Sequence, residues 1–310
     1  MILVTGASGF IGKYILNELL ENGYEVRALT RRKDFKYEDV EIAIGDITKP
    51  ASLEKAFDGI DAIFHNAAFA SDYGKKKEFF KHNVEGTKNV AEMARKKGIN
   101  RIIYTSSAGV YGHPNVKEEI NEDYPKKPMN AYQKSKLMGE EMLKQYDFHL
   151  SIVRPPLVLG AGAKATKILL GRAEKGNLVY IGNGENFISI VHPKDVAKCL
   201  RLAFEKDEKG DVFNVVSFHC KIKELYEKIA DKMGVDKPKK HVPYFMAYLI
   251  ATFSEIFSKE PSLTRFRVKS FGTNRIISWE KARKKLGYKP DYDLKKTVKD
   301  MVEWYKSLKK

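Results

Sequence analysis

The sequence predicts an α/β protein: a doubly wound parallel sheet followed by a smaller, mostly helical C-terminal part. Three observations predict it. Short apolar runs alternate with helical segments through the first half of the chain. The first run, MILVTG, leads directly into a glycine-spaced turn, TGASGFIG. Beyond about residue 220 the pattern becomes mostly helical and ends in LKKTVKDMVEWYKS. Strands alternating with helices imply right-handed crossovers and a parallel sheet covered on both faces.

MILVTG reads as a buried strand, and FIGKYILNELLENG as an amphipathic helix that stops on Gly23. EVRALTR and VEIAIGD are the second and third strands; SLEKAFDG is a helix and DAIFHNAA a fourth strand. A helix is expected from about Lys77 to Lys97, ending at Gly98, then a fifth strand in RIIYTSS. NAYQKSKLMGEEML opens another helix, and HLSIVRPP is a sixth strand. LVLGAGAKATKILLGRAEKGN mixes loop and helix. FISIVHPKDVAKCLRLAFE reads as a return to the sheet plus a helix, and DVFNVVS as one more strand. These elements divide the chain into a dinucleotide-binding domain, 1–156 plus about 189–216, and a substrate-binding domain, about 157–188 plus 217–310.

The chain has 310 residues and a net charge of +16. Its basic residues fall in short scattered clusters interleaved with acids, as in EKDEKGD, with no nucleic-acid motif beside them. A solvated lysine-rich surface is expected, and no nucleic-acid partner. Two cysteines, Cys199 and Cys220, lie outside any paired motif, which argues against disulfides and structural zinc and suits a reducing cytoplasm. The N-terminus has no basic stretch or cleavage site, so no signal peptide is expected. No His/Cys/Asp/Glu spacing suggests a metal. His65 and His192, in or beside apolar strands, read as structural histidines.

The glycine turn carries a physical task. Gly6 permits a tight turn, and Gly9, Phe10, Ile11 and Gly12 bring backbone amides and a helix N-terminus against a pyrophosphate. After the second strand an NAD site usually carries a carboxylate for the ribose 2′-hydroxyl. Here Thr30 stands there, followed by Arg31, Arg32 and Lys33. Guanidinium suits a 2′-phosphate, so NADP(H) is favoured over NAD(H).

TG-x-x-G-x-x-G with a later Y-x-x-x-K, Tyr132 and Lys136, resembles the short-chain dehydrogenase/reductase superfamily, in its extended type, the NAD-dependent epimerase/dehydratase group. Further segments match in order: GDITKP, HNAA, NVEGTKNV, YTSSAGVYG and RPPLVLGAG. The resemblance covers almost the whole chain and implies a Rossmann-type fold. It implies that Asp46 and Ile47 flank the adenine, and that Ala67, Ala68, Asn83 and Pro155 line the cofactor. It implies that Ser107, with Ser106 as second choice, meets Tyr132 and Lys136 over the nicotinamide. A free tyrosine, at a pKa of about 10, is a poor base at neutral pH. A nearby Lys136 ammonium and an oxidised nicotinamide favour its phenolate. Spacing of i, i+4 puts Tyr132 and Lys136 on one helix face. Asp195, in VHPKDVAKC, resembles a family aspartate that more often caps a helix than does chemistry.

Nucleotide-sugar enzymes of this type usually carry an asparagine where RPPLVLG has Leu157, and an Arg-Asp near Ile188 and Ser189. The C-terminal third instead resembles the 3β-hydroxysteroid dehydrogenase and dihydroflavonol reductase branch, in VPYFMAYLIATFSEIF, EPSLTRFRV and WEKARKKLGYKPDYDL. Three readings follow: a dehydrogenase or reductase on a largely apolar small molecule; a nucleotide-sugar 4-epimerase or dehydratase with retained NAD; and an NAD(P)-sensing non-enzyme. The stretch 242–257 is apolar nearly all round. It is to be buried, to line a pocket or to touch a membrane surface, with core packing of the smaller domain an equal alternative; contact with a membrane surface is not the favoured expectation. The resemblance also implies a homodimer through the helices near 80–97 and 132–146.

Overall fold

The computed structural model describes residues 1–207, 210–258, 261 and 263–309. In chain order the elements of the first half are β1 (Ile2–Thr5), α1 (Phe10–Glu21), β2 (Val26–Thr30), β3 (Val40–Ile44), β4 (Ala62–His65), α2 (Lys76–Phe80), α3 (Gly86–Lys96), β5 (Arg101–Thr105), β6 (Glu119–Ile120), α4 (Ala131–Leu143) and β7 (His149–Arg154). Then follow β8 (Leu157–Val158), α5 (Lys164–Glu174), β9 (Tyr180–Ile181), β10 (Phe187–Val191), α6 (Pro193–Lys206), β11 (Val212–Asn214), β12 (Phe218–Lys221) and α7 (Ile222–Met233). The last are β13 (His241–Val242), α8 (Tyr244–Phe257), α9 (Arg265–Gly272), β14 (Ile276–Ile277), α10 (Glu280–Leu286) and α11 (Leu294–Ser307).

Seven strands form one sheet in the order β11-β7-β5-β4-β1-β2-β3. All of its pairings are parallel, with β1 in register against both β2 (Ile2 with Val26) and β4 (Ile2 with Ala62). Alternation along β1 divides the core between the two faces. Ile2 and Val4 pack with Ile15, Leu16 and Leu19 of α1 and Val196 and Leu200 of α6. Leu3 packs on the other face with Phe57, Val90, Ala94 and Leu143. The chain leaves β1 toward one edge and later returns on its other side at β4, so a crevice opens beyond the C-terminal ends of β1 and β4. A separate core, with Leu169, Leu170, Ile188, Leu225, Ile229, Met301 and Val302, holds α5, α7 and α11 together.

Three expectations need correction. SLEKAFDG forms two single 3-10 turns, Pro50–Ser52 and Lys55–Phe57, because the segment is too short to nucleate a helix and Leu53 and Phe57 are already buried by the turns. The helix expected near 77–97 contains one wide turn over Lys81–Glu85, between α2 and α3. FISIV does not return to the main sheet: β10 pairs with β8 and, antiparallel, with β12 in a three-stranded sheet of its own, while α6 after it does pack on α1. The main sheet takes β11 as its edge instead.

Candidate active site

Two groups of residues converge on the crevice at β1 and β4. The first is the glycine turn. Gly6 has a φ of +68°, and a Cβ there would lie 2.7 Å from the Cα of Ala67. A Cβ on Gly12 would lie 2.2 Å from the Gly6 carbonyl oxygen. The turn therefore closes only without side chains, and its backbone lies open to a ligand. No side chain caps α1 at Gly9, so the amides of its first turn are presented to the crevice. This bare, positively polarised helix end fits the pyrophosphate of a dinucleotide.

The rest of the crevice is set by hydrogen bonds. Thr5 Oγ accepts from the Ala67 amide at 3.1 Å and bonds His65 Nδ1 at 2.7 Å. Thr87 gives its proton to the Asn83 carbonyl at 2.8 Å, so His65 Nε2 carries the hydrogen in its 3.0 Å bond to Thr87. Burial, aided by the Lys136 charge, pushes His65 down to about 3 and keeps it neutral. Asn83 is fully buried: its amide oxygen accepts from the Phe69 amide, and its nitrogen donates to the Phe69 carbonyl and to Ser135. It thus fixes the segment with Ala67 and Ala68 rather than offering its own side chain. Pro155 contributes its carbonyl to the Ala108 amide, at 2.9 Å.

At the end of β2, buried Thr30 bonds Ser8 at 2.8 Å and accepts from the Arg32 amide. Arg32 pairs with Asp34 at 2.9 Å. Arg31 stands out into solvent with Asp46 at 4.0 Å. Burial raises Asp46, but bonds from the amide and hydroxyl of Thr48 outweigh it and hold the carboxyl below its ordinary range. Ile47 lies buried beneath Gly86.

The second group comes from β5 and α4. Asn130 caps α4 by accepting from the Gln133 amide at 2.9 Å. Tyr132, Lys136 and Glu140 then recur on one face of the helix. Lys136 is buried with its ammonium 4.0 Å over the Tyr104 ring, which stacks on His65. Burial pushes Lys136 down to about 7, against the pull of Glu140. Burial raises Tyr132, while a hydrogen bond with Ser107 lowers it. The two serines are separated here. Ser107 accepts from the Gly109 amide and faces Tyr132. Ser106 donates to Glu140, whose carboxylate also takes two bonds from buried Arg154, at 2.9 and 2.6 Å.

Above Tyr132 lie residues that no motif spacing marked. A cavity of about 300 Å³ is lined by Tyr132, Phe79, His113, Tyr248 and Phe266 among others. It shares Asp72 and Phe266 with a larger cavity of about 570 Å³, walled by Leu157, Leu169, Leu178, Ile181 and Phe271. Asp72 pairs with Arg267 at 2.5 Å. Asp195 does not cap α6, where His192 serves; it accepts from Ser217 and from the Asp291 and Tyr292 amides, tying the C-terminal segment to the sheet. His192 stacks on Tyr292 at 3.5 Å and bonds Asp300.

A family model described as NAD-dependent epimerase/dehydratase matches residues 2–216, which hold the whole glycine turn, Ser107, Tyr132 and Lys136. The chain belongs to the NAD-dependent epimerase/dehydratase family. It is 30% identical to the sterol-4-alpha-carboxylate 3-dehydrogenase (decarboxylating) of Mus musculus, over 99% of this chain and 91% of that protein. It is also 30% identical to the 2-alkyl-3-oxoalkanoate reductase of Stenotrophomonas maltophilia, over 96% and 97% of the two chains. Among solved structures, the UDP-glucose 4-epimerase of Thermotoga maritima with UDP-glucose matches at a TM-score of 0.81 and 26% identity, covering 100% of this chain and 99% of that one. As a member of the family, the protein is an NAD(P)-dependent dehydrogenase/reductase or epimerase of the extended short-chain type.

Proposed function

We propose that the protein interconverts a secondary alcohol and a ketone on a largely apolar small molecule, with NADP(H) as the preferred dinucleotide. The observation that carries this reading is the largely apolar cavity of about 570 Å³ that adjoins the Tyr132 cavity through Asp72 and Phe266. Two relatives at 30% identity bear names of a sterol dehydrogenase and an oxoalkanoate reductase, whose substrates have such bodies.

The bound nicotinamide supplies the hydride acceptor or donor, and the chain handles the proton. Tyr132 Oη takes the hydroxyl proton of an alcohol in oxidation and returns it to the oxygen of a ketone in reduction. Ser107 holds that oxygen by a hydrogen bond. Lys136, when charged, favours the phenolate and bonds the nicotinamide ribose. The amides of Phe10, Ile11 and Gly12 take the pyrophosphate, while the Gly9 amide is held by the Gly6 carbonyl at 3.0 Å. Asp46, Ile47, Ala67, Ala68 and Pro155 shape the remaining wall, with Asn83 holding the segment after Ala67 and Ala68 in place. Arg31 meets the 2′-phosphate, and the absence of a carboxylate at Thr30 removes the repulsion that would oppose it. In this reading 1–156 and about 189–216 bind the dinucleotide, while about 157–188 and 217–310 bind the substrate. The protein works in the cytoplasm as a homodimer through α3 and α4, and sedimentation equilibrium tests the dimer.

A nucleotide-sugar 4-epimerase is the second reading. It is favoured by Lys164, Arg172 and Arg267 in the wall of the larger cavity, where cations suit a diphosphate. One experiment separates the two: identify what co-purifies, then titrate with NADPH and NADH. Exchangeable binding with NADPH preferred, followed by turnover of apolar ketones, supports the first reading. Tightly retained NAD(H) supports the second.

A further inference from the structure

α8 is built inside out. Its inward side is small: Ala247 and Ala251 are buried against Val268, with Tyr244, Tyr248 and Leu263 around them. Its outward side carries Phe245, Met246, Ile250, Phe253, Ile256 and Phe257, and Phe245, Ile256 and Phe257 are 70%, 66% and 81% exposed. Those positions recur at helical spacing and form one stripe. The one charged side chain of the helix, Glu255, is turned away from it to accept from the amide and Nε of Arg265, at 2.8 and 2.7 Å. An apolar stripe this continuous marks an interaction surface.

Its chemistry points to one kind of partner. The stripe offers no hydrogen-bonding side chains to a folded protein surface, yet exposed lysines lie on the segments that adjoin the two ends of the helix. Lys239 and Lys240 lead into α8, and Lys75, Lys76 and Lys77 lie on a segment joined to the helix by the Tyr73 hydroxyl bond to the Glu255 carbonyl, 3.2 Å. A second copy of a chain of net charge +16, docked face to face, would bring these lysines against themselves. An anionic bilayer meets both features, with lysines on the headgroups and phenylalanines in the acyl boundary. A helix of 14 residues is about 21 Å long, too short to cross a hydrocarbon core of about 30 Å but suited to lie in its surface.

The same helix roofs the candidate site. Ala247 and Ile250 line the larger cavity, and Tyr248 lines the one containing Tyr132. Ile250, like Ile168 of α5, is both a cavity wall and exposed, so the rim of the cavity has an apolar side beside the exposed Lys164 and Arg172. We propose that α8 seats the protein on an anionic phospholipid surface and lets an apolar substrate pass from the bilayer into the cavity without crossing water. This goes beyond the proposed reaction and holds for any lipid-borne alcohol or ketone.

The test is flotation of the full chain with vesicles of phosphatidylcholine alone, and of phosphatidylcholine mixed with phosphatidylglycerol. Binding to the mixed vesicles, reduced by salt, is expected. The double variant Phe253→Ser, Phe257→Ser should bind them at least about tenfold more weakly, since two inserted phenylalanines contribute more than one factor of ten. Both side chains are exposed and outside the cavities, so the variant should keep the parent affinity for dinucleotide, which reports that it has folded. Absence of flotation with the mixed vesicles, or flotation unchanged in the variant, overturns the proposal. Equal binding to the neutral vesicles overturns the anionic preference. A parent dimer that the double variant turns into monomer, with no vesicle binding by either, assigns the stripe to a second copy instead.

Discussion

Tyr132 sits where burial works against its ionisation, and Lys136 sits where burial weakens the charge that would help it. The consequence is directional. Oxidation needs the phenolate, so its rate should climb as pH rises toward the raised tyrosine value; reduction needs the phenol and should fall over the same range. Rate profiles in both directions check this. Tyr132→Phe should lower kcat by about 10²–10⁴-fold while leaving dinucleotide affinity in place. The serine pair gives a finer contrast. Ser107→Ala should lower kcat with little change in stability, and Ser106→Ala should do the reverse, because Ser106 serves Glu140. The Tyr-Lys spacing is visible in the sequence, but the choice between adjacent serines is not. It depends on the chain direction after β5, which turns Ser106 toward Glu140 and Ser107 toward Tyr132.

Buried pairs carry the elements. Arg154 on β7 and Glu140 on α4 are both out of water, and Ser106 and Tyr111 complete their hydrogen bonds. Glu140→Ala leaves an uncompensated guanidinium and should cost about 3–5 kcal/mol, measured by urea unfolding. His65 joins β4 to β1 and α3 as a neutral ring. Its folded value, about 3, lies below the unfolded value, so the stability it gives is complete above about pH 6.5 and is lost as pH falls toward 3. Unfolding midpoints from pH 7 to pH 4 should therefore drop more steeply for the parent than for His65→Phe. The sheet strands of the first half, with α1 and α4, are plain in the sequence because the alternation is strong and each run has a stop. What lay out of reach was placement. FISIV is apolar enough for either sheet, and its pairing with β8 and β12 assigns it. In α8 nearly every residue is apolar, so hydropathy cannot say which side faces in; residue size decides, with alanines inward.

Across the whole molecule, the glycine crevice and the cavities under α8 are built by segments far apart in sequence. Asp72, Tyr132, Leu157, Tyr248 and Phe266 meet only once the chain is folded, and none belongs with the others in a spaced motif. A dinucleotide that binds only this assembled form should raise its stability, by about 2.7 kcal/mol at a hundredfold excess over Kd. Thermal unfolding should therefore shift upward more with NADPH than with NADH at equal concentration. Gly12→Val, whose side chain would enter the Gly6 carbonyl, should abolish that shift.

The edge strand β11 has a consequence for how the protein is made. β7 is complete at Arg154, but its outer neighbour begins only at Val212. During synthesis at about 5–20 residues per second, the open edge of β7 waits roughly 3–12 s for a partner. A ribosome stalled in that interval would hold a nearly finished sheet whose β7 edge still lacks its partner, so slowing translation over 155 to 211 should lower the yield of folded protein, which synonymous slow codons placed there would test.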